Sequence, residues 1–204
     1  MRGMMLDNQQ TREIANRGFI PIAKFLLKIG LSANSVTVIT ALSLVLIVIS
    51  TIPFGRFGWA LVFSLPLVFG DALDGTMARL TGSQSKFGGF LDSVIDRFTD
   101  ASIVGAYIAW AVYADESSTA LVAMGVLATG FLIPYIRAKS ESVGIECKVG
   151  LMERTERLLA LGIITLLAAF GVFDAIWYGL LIVFVLNAVT IIQRIMHVYQ
   201  SERV

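Results

Sequence analysis

Cysteine and histidine each occur once in this 204-residue chain, as Cys147 and His197. A lone cysteine excludes an intramolecular disulfide and a thiolate metal cluster, and a lone histidine excludes a multi-histidine metal site. Any metal the protein uses is therefore held by oxygen. Charge is scarce as well: 15% of residues are Asp, Glu, Lys or Arg against 56% hydrophobic, and the mean hydropathy is +0.79. That balance lies outside the soluble norm and indicates an integral membrane protein. The formal net charge is only +1, so the information lies in where the charges fall. The opening MRGMMLDNQQ has no apolar core of the kind found in a cleaved signal peptide, and residues 1–10 are expected to fray.

Over 11–30 the basic residues Arg12, Arg17, Lys24 and Lys28 interleave with Ile14, Phe19, Ile22, Phe25, Leu26 and Ile29. The spacing predicts an amphipathic helix at the membrane surface, bent or restarted at Pro21. Ser32 to Asn34 supply cap residues, and apolar runs long enough to span follow over 36–53, 57–78, 87–113, 118–137, 158–170 and 174–194. The fifth run is short, so its first turns are expected to carry the charged 153–157. Basic residues gather before the first run (Arg2, Arg12, Arg17, Lys24, Lys28), between the second and third (Arg79, Lys86), and between the fourth and fifth (Arg137, Lys139, Lys148, Arg154, Arg157). The other connections carry only Arg56, with Asp115, Glu116 and Asp174, and an aromatic set that includes Trp59, Trp110 and Trp177. The positive-inside rule then predicts an all-α integral membrane protein with six transmembrane helices preceded by a juxtamembrane helix, both termini cytoplasmic. The expected organisation is one membrane domain over 1–204, with the six-helix bundle over 34–200.

Against this apolar background the stretch DALDGTMARLTGSQSKFGGFLDSVID places four carboxylates inside two spanning runs. Each costs roughly 2.5–3.5 kcal/mol at bilayer depth, so they are expected to face a polar cavity and to work there. Asp71 and Asp74 are spaced i, i+3 and Asp92 and Asp96 i, i+4, so each pair projects from one face of a helix. Two such helices facing each other make an all-oxygen site suited to Mg²⁺ or Mn²⁺. A helix-joining polar network, or the relay of a cation or proton transporter, would use the same residue types, though with freer spacing.

Written out, the stretch is D-x2-D-G-x2-A-R-x8-G-x3-D-x3-D, filled by Asp71, Asp74, Gly75, Ala78, Arg79, Gly88, Asp92 and Asp96. It resembles the CDP-alcohol phosphotransferase signature at every position. The resemblance implies an enzyme that takes a CDP-linked lipid, displaces CMP and joins the phosphatidyl group to an alcohol. It implies two Mg²⁺ ions, with Mn²⁺ as the alternative, held by Asp71, Asp74, Asp92 and Asp96, and Asp96 acting also as general base. The chemistry agrees: a pyrophosphate must be neutralised before an alcohol oxygen can approach phosphorus, and paired divalent ions serve both attacking and leaving oxygens. Arg79 suits a phosphate oxygen, and Gly75 lets the nucleotide approach the helix backbone. Gly88 permits close helix contact. Asn34, Ser35, Val36 and Thr37 open the first span at a position the family commonly sets against the cytidine, and Ser85 could donate to phosphate or base. CDP-lipid contacts are thus expected from Asn34, Ser35, Val36, Thr37, Asp71, Asp74, Gly75, Ala78, Arg79 and Ser85. For Asn34 and Thr37 the competing role is helix capping, and for Ser85 that of a solvated loop residue.

The acceptor requires a second constellation. Tyr135-Ile136-Arg137-Ala138-Lys139, Glu153-Arg154-Thr155-Glu156-Arg157 and Gln193-Arg194 supply more cations than a neutral polyol calls for, and guanidinium groups grip phosphate in a fork geometry. The E-R-x-E-R element, with YIRAK before it and QR after it, is similar to the actinobacterial phosphatidylinositol phosphate synthases. That resemblance implies an inositol 1-phosphate acceptor bound by Arg137, Arg154, Arg157 and Arg194, a CDP-diacylglycerol donor, a homodimer, and a plasma-membrane enzyme facing the cytoplasm, with no nucleic-acid partner. A phosphatidylglycerophosphate synthase using glycerol 3-phosphate is the nearest enzymatic alternative. The competing account of the arginines is that they obey the positive-inside rule or bind anionic headgroups, which holds most strongly for Lys148.

Overall fold

The computed structural model describes residues 18–82 and 85–201, with backbone alone at 68, 69, 71 and 72. The expected fraying of 1–10, and Arg2, Arg12 and Arg17 with them, lie outside the described residues. All regular structure among the described residues is helical: α1 over 18–28, α2 Ala33–Thr51, α3 Phe57–Ser64, α4 Gly70–Thr81, α5 Lys86–Tyr113, α6 Ser117–Ser142, α7 Arg154–Ala169 and α8 Asp174–Ser201. Among the described residues, three stretches are long and apolar enough to cross a membrane: Ala33–Phe54, Ser117–Ser142 and Asp174–Ser201. α5 has the length, but its first half carries Lys86, Asp92, Asp96, Arg97 and Asp100, and α7 has 16 residues. The expected span over 57–78 is subdivided into α3, a 3-10 segment Leu65–Phe69 and α4. Pro66 accounts for the change, since it has no N–H to donate and its ring crowds the preceding turn.

The chain forms two compact units, Met1–Leu44 with Phe63–Thr99, and Val45–Val62 with Asp100–Val204. In the first, the helix at 18–28 runs continuously through Pro21. Its Ala23 is fully buried against Val36 of α2 and Met77 of α4. Ile22, Phe25 and Ile29 are exposed on the other side, the pattern of a helix whose second apolar face meets lipid. Ser32 caps α2, its Oγ accepting the Ser35 N–H at 3.1 Å. The hydroxyl of Thr40 bonds back to the Val36 carbonyl, so the span carries that polar residue without an unsatisfied group. Gly70 lets α4 begin close to α2, because a Cβ there would lie 2.9 Å from Thr40 Oγ1.

In the second unit, the buried positions of α8 are Ile176, Leu180, Val183, Asn187, Thr190 and Arg194. They alternate in steps of four and three, the seam of a helix packed at a shallow angle, and the seam turns from apolar to polar along its length. α8 packs on α6 and α7. Where α6 meets it, a Cβ on Gly125 would lie 2.9 Å from the Phe184 ring, so a small residue is required. At the unit's apolar end Phe57, Trp110 and Phe173 form one aromatic cluster. Further along α5, buried Tyr107 hydrogen-bonds Thr165 of α7 at 2.5 Å. The polar half of the seam fastens the 143–153 connection: Thr190 Oγ1 accepts the Met152 N–H at 2.9 Å, and His197 Nε2 meets the Glu146 carbonyl at 2.9 Å. Gly150 crosses Thr190 at φ 135°, where a Cβ would sit 2.5 Å from its methyl group.

Candidate functional site

Three stretches distant in sequence converge within the first unit. Ala33, Asn34 and Thr37 of α2, Asp74, Gly75, Ala78 and Arg79 of α4, and Ser85, Gly88, Gly89 and Asp92 at the start of α5 line a cavity of about 300 Å³. Seven of the residues expected around the donor lipid or its metals therefore share one space with Asp92. The Thr37 hydroxyl donates to Asp74 Oδ2 at 2.5 Å, joining the α2 element to the carboxylate motif. Arg79 donates from Nη2 to Thr76 Oγ1 at 3.0 Å. A Cβ on Gly75 would lie 3.4 Å from Arg79 Nη1, so Gly75 also makes room for the guanidinium beside the cavity.

Several details depart from the expected roles. Ser32, not Asn34, caps α2, which leaves the Asn34 amide to the cavity, where its Oδ1 lies 3.3 Å from the position of a Gly88 Cβ. Gly88 thus allows the close approach expected of it. Ser85 accepts the Gly88 N–H at 2.9 Å as the cap of α5, and its hydroxyl proton remains able to serve a ligand. Ser35 shares a 2.8 Å hydrogen bond with Ser32, and Val36 packs in the core with Ala23 and Met77, so neither lines the cavity.

Of the four motif carboxylates, Asp74 and Asp92 line the cavity. Asp96 follows Asp92 by one turn of α5, is 17% exposed, and has an oxygen 3.9 Å from Arg97 Nη2. Asp71 occupies the first turn of α4, and its side chain lies outside the described residues. Among the described residues no three acidic, histidine or cysteine side chains form a metal-binding group by themselves. The donor set at the cavity is oxygen throughout, as a hard divalent cation requires, and Asp71 is the remaining member of the expected set.

The second unit holds the arginines. Glu153 and Glu156 form a capping box at the start of α7: the Glu153 side chain takes an N–H of the first turn and Glu156 takes the Glu153 N–H at 3.1 Å. The two glutamates of E-R-x-E-R therefore build the helix end, and its two arginines, i and i+3, share a face. Arg157 is buried and pairs with Asp100 Oδ2, while Arg154 Nε lies 3.6 Å from Asp100 Oδ1. Arg194 is buried too and donates to the carbonyls of Val149 at 2.8 Å and Ile133 at 2.7 Å, with Glu153 at 3.5 Å. Arg137 donates to Glu141 at 2.9 Å and is the most exposed of the four. Lys148 pairs with Glu146 on the surface, and this ammonium holds the Glu146 carboxyl below its usual range.

Asp100 went unmarked in the sequence, although it stands four residues after Asp96 and so continues the i, i+4 series. Its partner lies 57 residues further on, and a three-dimensional structure is needed to join them. The Thr37–Asp74 bond is likewise a contact across 37 residues.

Apolar membrane-length helices, a cavity with carboxylates, an arginine and amide and hydroxyl groups, and a separate arginine-rich helix terminus define a membrane enzyme built to handle phosphate esters. The chain belongs to the CDP-alcohol phosphatidyltransferase family, whose sequence profile matches residues 31–198. It is 35% identical to the phosphatidylinositol phosphate synthase of Streptomyces avermitilis, over 98% of this chain and 85% of that protein. It is 34% identical to the archaetidylinositol phosphate synthase of Pyrococcus horikoshii, over 89% of each. Among solved structures it resembles Mycobacterium tuberculosis phosphatidylinositol phosphate synthase with CDP-DAG bound, with a TM-score of 0.83, 28% identity, and 90% and 94% coverage of the two chains. The same enzyme in complex with manganese and citrate gives a TM-score of 0.81 at 28% identity, covering 89% and 88%.

Proposed function

We propose that this protein transfers the phosphatidyl group of CDP-diacylglycerol to myo-inositol 1-phosphate, releasing CMP and forming phosphatidylinositol phosphate. The observation that carries the reading is the meeting of Asp74, Asp92 and Arg79 with Asn34 and Thr37 in one cavity, since these residues match the donor side of the reaction in kind. The Mycobacterium tuberculosis relative, which takes CDP-DAG and manganese, supports both the donor and a divalent ion. Asp71, Asp74, Asp92 and Asp96 would hold two Mg²⁺ ions, or Mn²⁺ in their place. Such ions, when bound, neutralise the pyrophosphate and stabilise the attacking and leaving oxygens.

The chain's own groups do the rest. Thr37 fixes the rotamer of Asp74 through a charge-assisted hydrogen bond, so that carboxylate is oriented before ligands arrive. Arg79 pairs with a phosphate oxygen, and Asn34 and Ser85 offer amide and hydroxyl groups to the nucleotide. Asp96 accepts the proton of the acceptor hydroxyl as its oxygen bonds to the lipid-bearing phosphorus and the bond to CMP breaks. Arg137, Arg154, Arg157 and Arg194 serve the acceptor's phosphate. Two of them stand in the first turns of α7, where the helix dipole already favours an anion. Six spans, cytoplasmic termini, a plasma-membrane location with the site facing the cytoplasm, a single membrane domain and a homodimer complete the proposal.

The test is CMP release by the reconstituted protein with CDP-diacylglycerol and either myo-inositol 1-phosphate or glycerol 3-phosphate, with and without Mg²⁺. Release with inositol phosphate alone, dependent on the metal, is expected. Release with glycerol phosphate alone would transfer the protein to the phosphatidylglycerophosphate branch, and release with neither would remove the enzymatic reading and favour an ion-transporting use of the aspartates.

A further inference from the structure

We propose that Asp100 is a positioning residue for the acceptor, holding Arg154 and Arg157 in a fixed pair with its two carboxylate oxygens. The inference rests on the proposed role of those arginines in binding the acceptor's phosphate. Asp100 projects from α5, and both arginines project from the first turns of α7. Oδ2 pairs with Arg157, whose side chain is 3% exposed, and Oδ1 faces Arg154 Nε at 3.6 Å, with 27% of that side chain exposed. The carboxylate thus gives one oxygen to a buried cation and the other to a cation that an incoming anion can reach.

Two features argue for positioning rather than plain neutralisation. Arg154 and Arg157 are like charges on one helix face at the positive end of the α7 dipole, an arrangement that disfavours both unless an anion stands between them. Neutralising the buried Arg157 would need only a contact with Arg157; the second oxygen also stands at ion-pair distance from the partly exposed Arg154 and biases that side chain's orientation. A guanidinium with a carboxylate at ion-pair distance from its Nε edge is partly pre-organised, so less freedom is lost when it grips a phosphate.

The full-length protein is reconstituted as wild type, Asp100→Asn, Asp100→Glu, Arg154→Ala and Asp100→Asn/Arg154→Ala, and the apparent KM is measured for myo-inositol 1-phosphate and for CDP-diacylglycerol. Asp100→Asn is expected to raise the acceptor KM about tenfold or more with the CDP-lipid KM held within about twofold. Asp100→Glu is expected to recover part of the loss, and the losses of Asp100→Asn and Arg154→Ala to be less than multiplicative in the double variant. An unchanged or lowered acceptor KM in Asp100→Asn, an equal rise for both substrates, or losses that multiply in the double variant overturns the inference. If Arg154→Ala raises the acceptor KM and Asp100→Asn does not, Asp100 fails while the acceptor pocket stands. If Arg154→Ala itself leaves the acceptor KM unchanged, the pocket fails and the inference falls with it. Should Asp100→Asn not fold, Asp100→Glu decides alone: a selective rise of about threefold or more in acceptor KM supports the inference, and none refutes it.

Discussion

Replacing Arg157 by methionine isolates what the buried ion pair does for the fold. The Arg157 side chain is 3% exposed and that of Asp100 11%, so solvent screens the pair little. Removing one partner strands the other charge, at a cost of about 3–5 kcal/mol, since the carboxylate keeps its desolvation penalty and loses its main compensation. For a chain of this size each kcal/mol shifts the melting temperature by about 2–4 °C, which gives a drop of roughly 6–20 °C. Replacing both members, as Asp100→Leu with Arg157→Met, removes the stranded charge together with the pair. It should return stability to within about 1–2 kcal/mol of wild type, because apolar side chains of similar volume often substitute for such a pair without loss. Unfolding of the purified variants in detergent, followed by intrinsic fluorescence, measures both steps. The double variant is expected to melt well above Arg157→Met while remaining unable to use inositol phosphate. A single variant that melts like wild type, or a double variant no better than the single, would refute the claim that an uncompensated charge sets the cost.

The remaining expectations concern other parts of the molecule. Asp96→Asn should abolish CMP release while leaving CDP-lipid binding, read by calorimetry, within about threefold; near-normal turnover would exclude Asp96 as the base. Thr37→Val removes the hydroxyl that orients Asp74 and should lower kcat about tenfold with little change in acceptor KM, and a kcat equal to wild type would show that Asp74 orients itself. Lys148→Ala should leave turnover unaltered, because Lys148 and Glu146 pair on the exposed surface. Glu146 is held below its usual pKa, so whatever stability it lends is present above the unfolded value and is lost as pH falls through the folded one. A marked loss of activity in Lys148→Ala would assign that lysine to the reaction.

The clustering of Asp74 and Asp92 was legible because its information is local. Asp71 to Asp96 state their helical faces by spacing alone, and the structure brings Asp74 and Asp92 to one cavity with the first-span polar residues. Capping was half legible: Ser32 and Asn34 are both good cap types, and only the helix boundary decides between them. The interrupted span shows the opposite failure, since the apolar run over 57–69 conceals a change of helix type at Pro66. α5 carries five charged residues over 86–100 and α7 has only 16 residues, so length and apolarity together select three helices among the described residues. The partner of Asp100 was out of reach, since nothing local records a contact made 57 residues away.

The E-R-x-E-R element shows how stability and function are divided at a single helix end. A helix N-terminus favours acidic residues, and Glu153 and Glu156 obey that rule through the capping box. Arg154 and Arg157 violate it in the same turn and a half. A sequence selected for helix stability alone would have no reason to place two cations against the dipole, bury one of them, and then supply a carboxylate from another helix to hold them. The conflict resolves if the terminus must bind an anion that arrives from solution. The capping box then secures the helix independently of ligand, Asp100 keeps the arginines ordered while they wait, and the dipole that opposes them in the free protein favours the phosphate in the bound one. If the proposed acceptor role holds, the local rule is broken where the acceptor would enter, and the buried positions of α7 after Arg157 run Leu161, Ile164, Thr165 and Ala168.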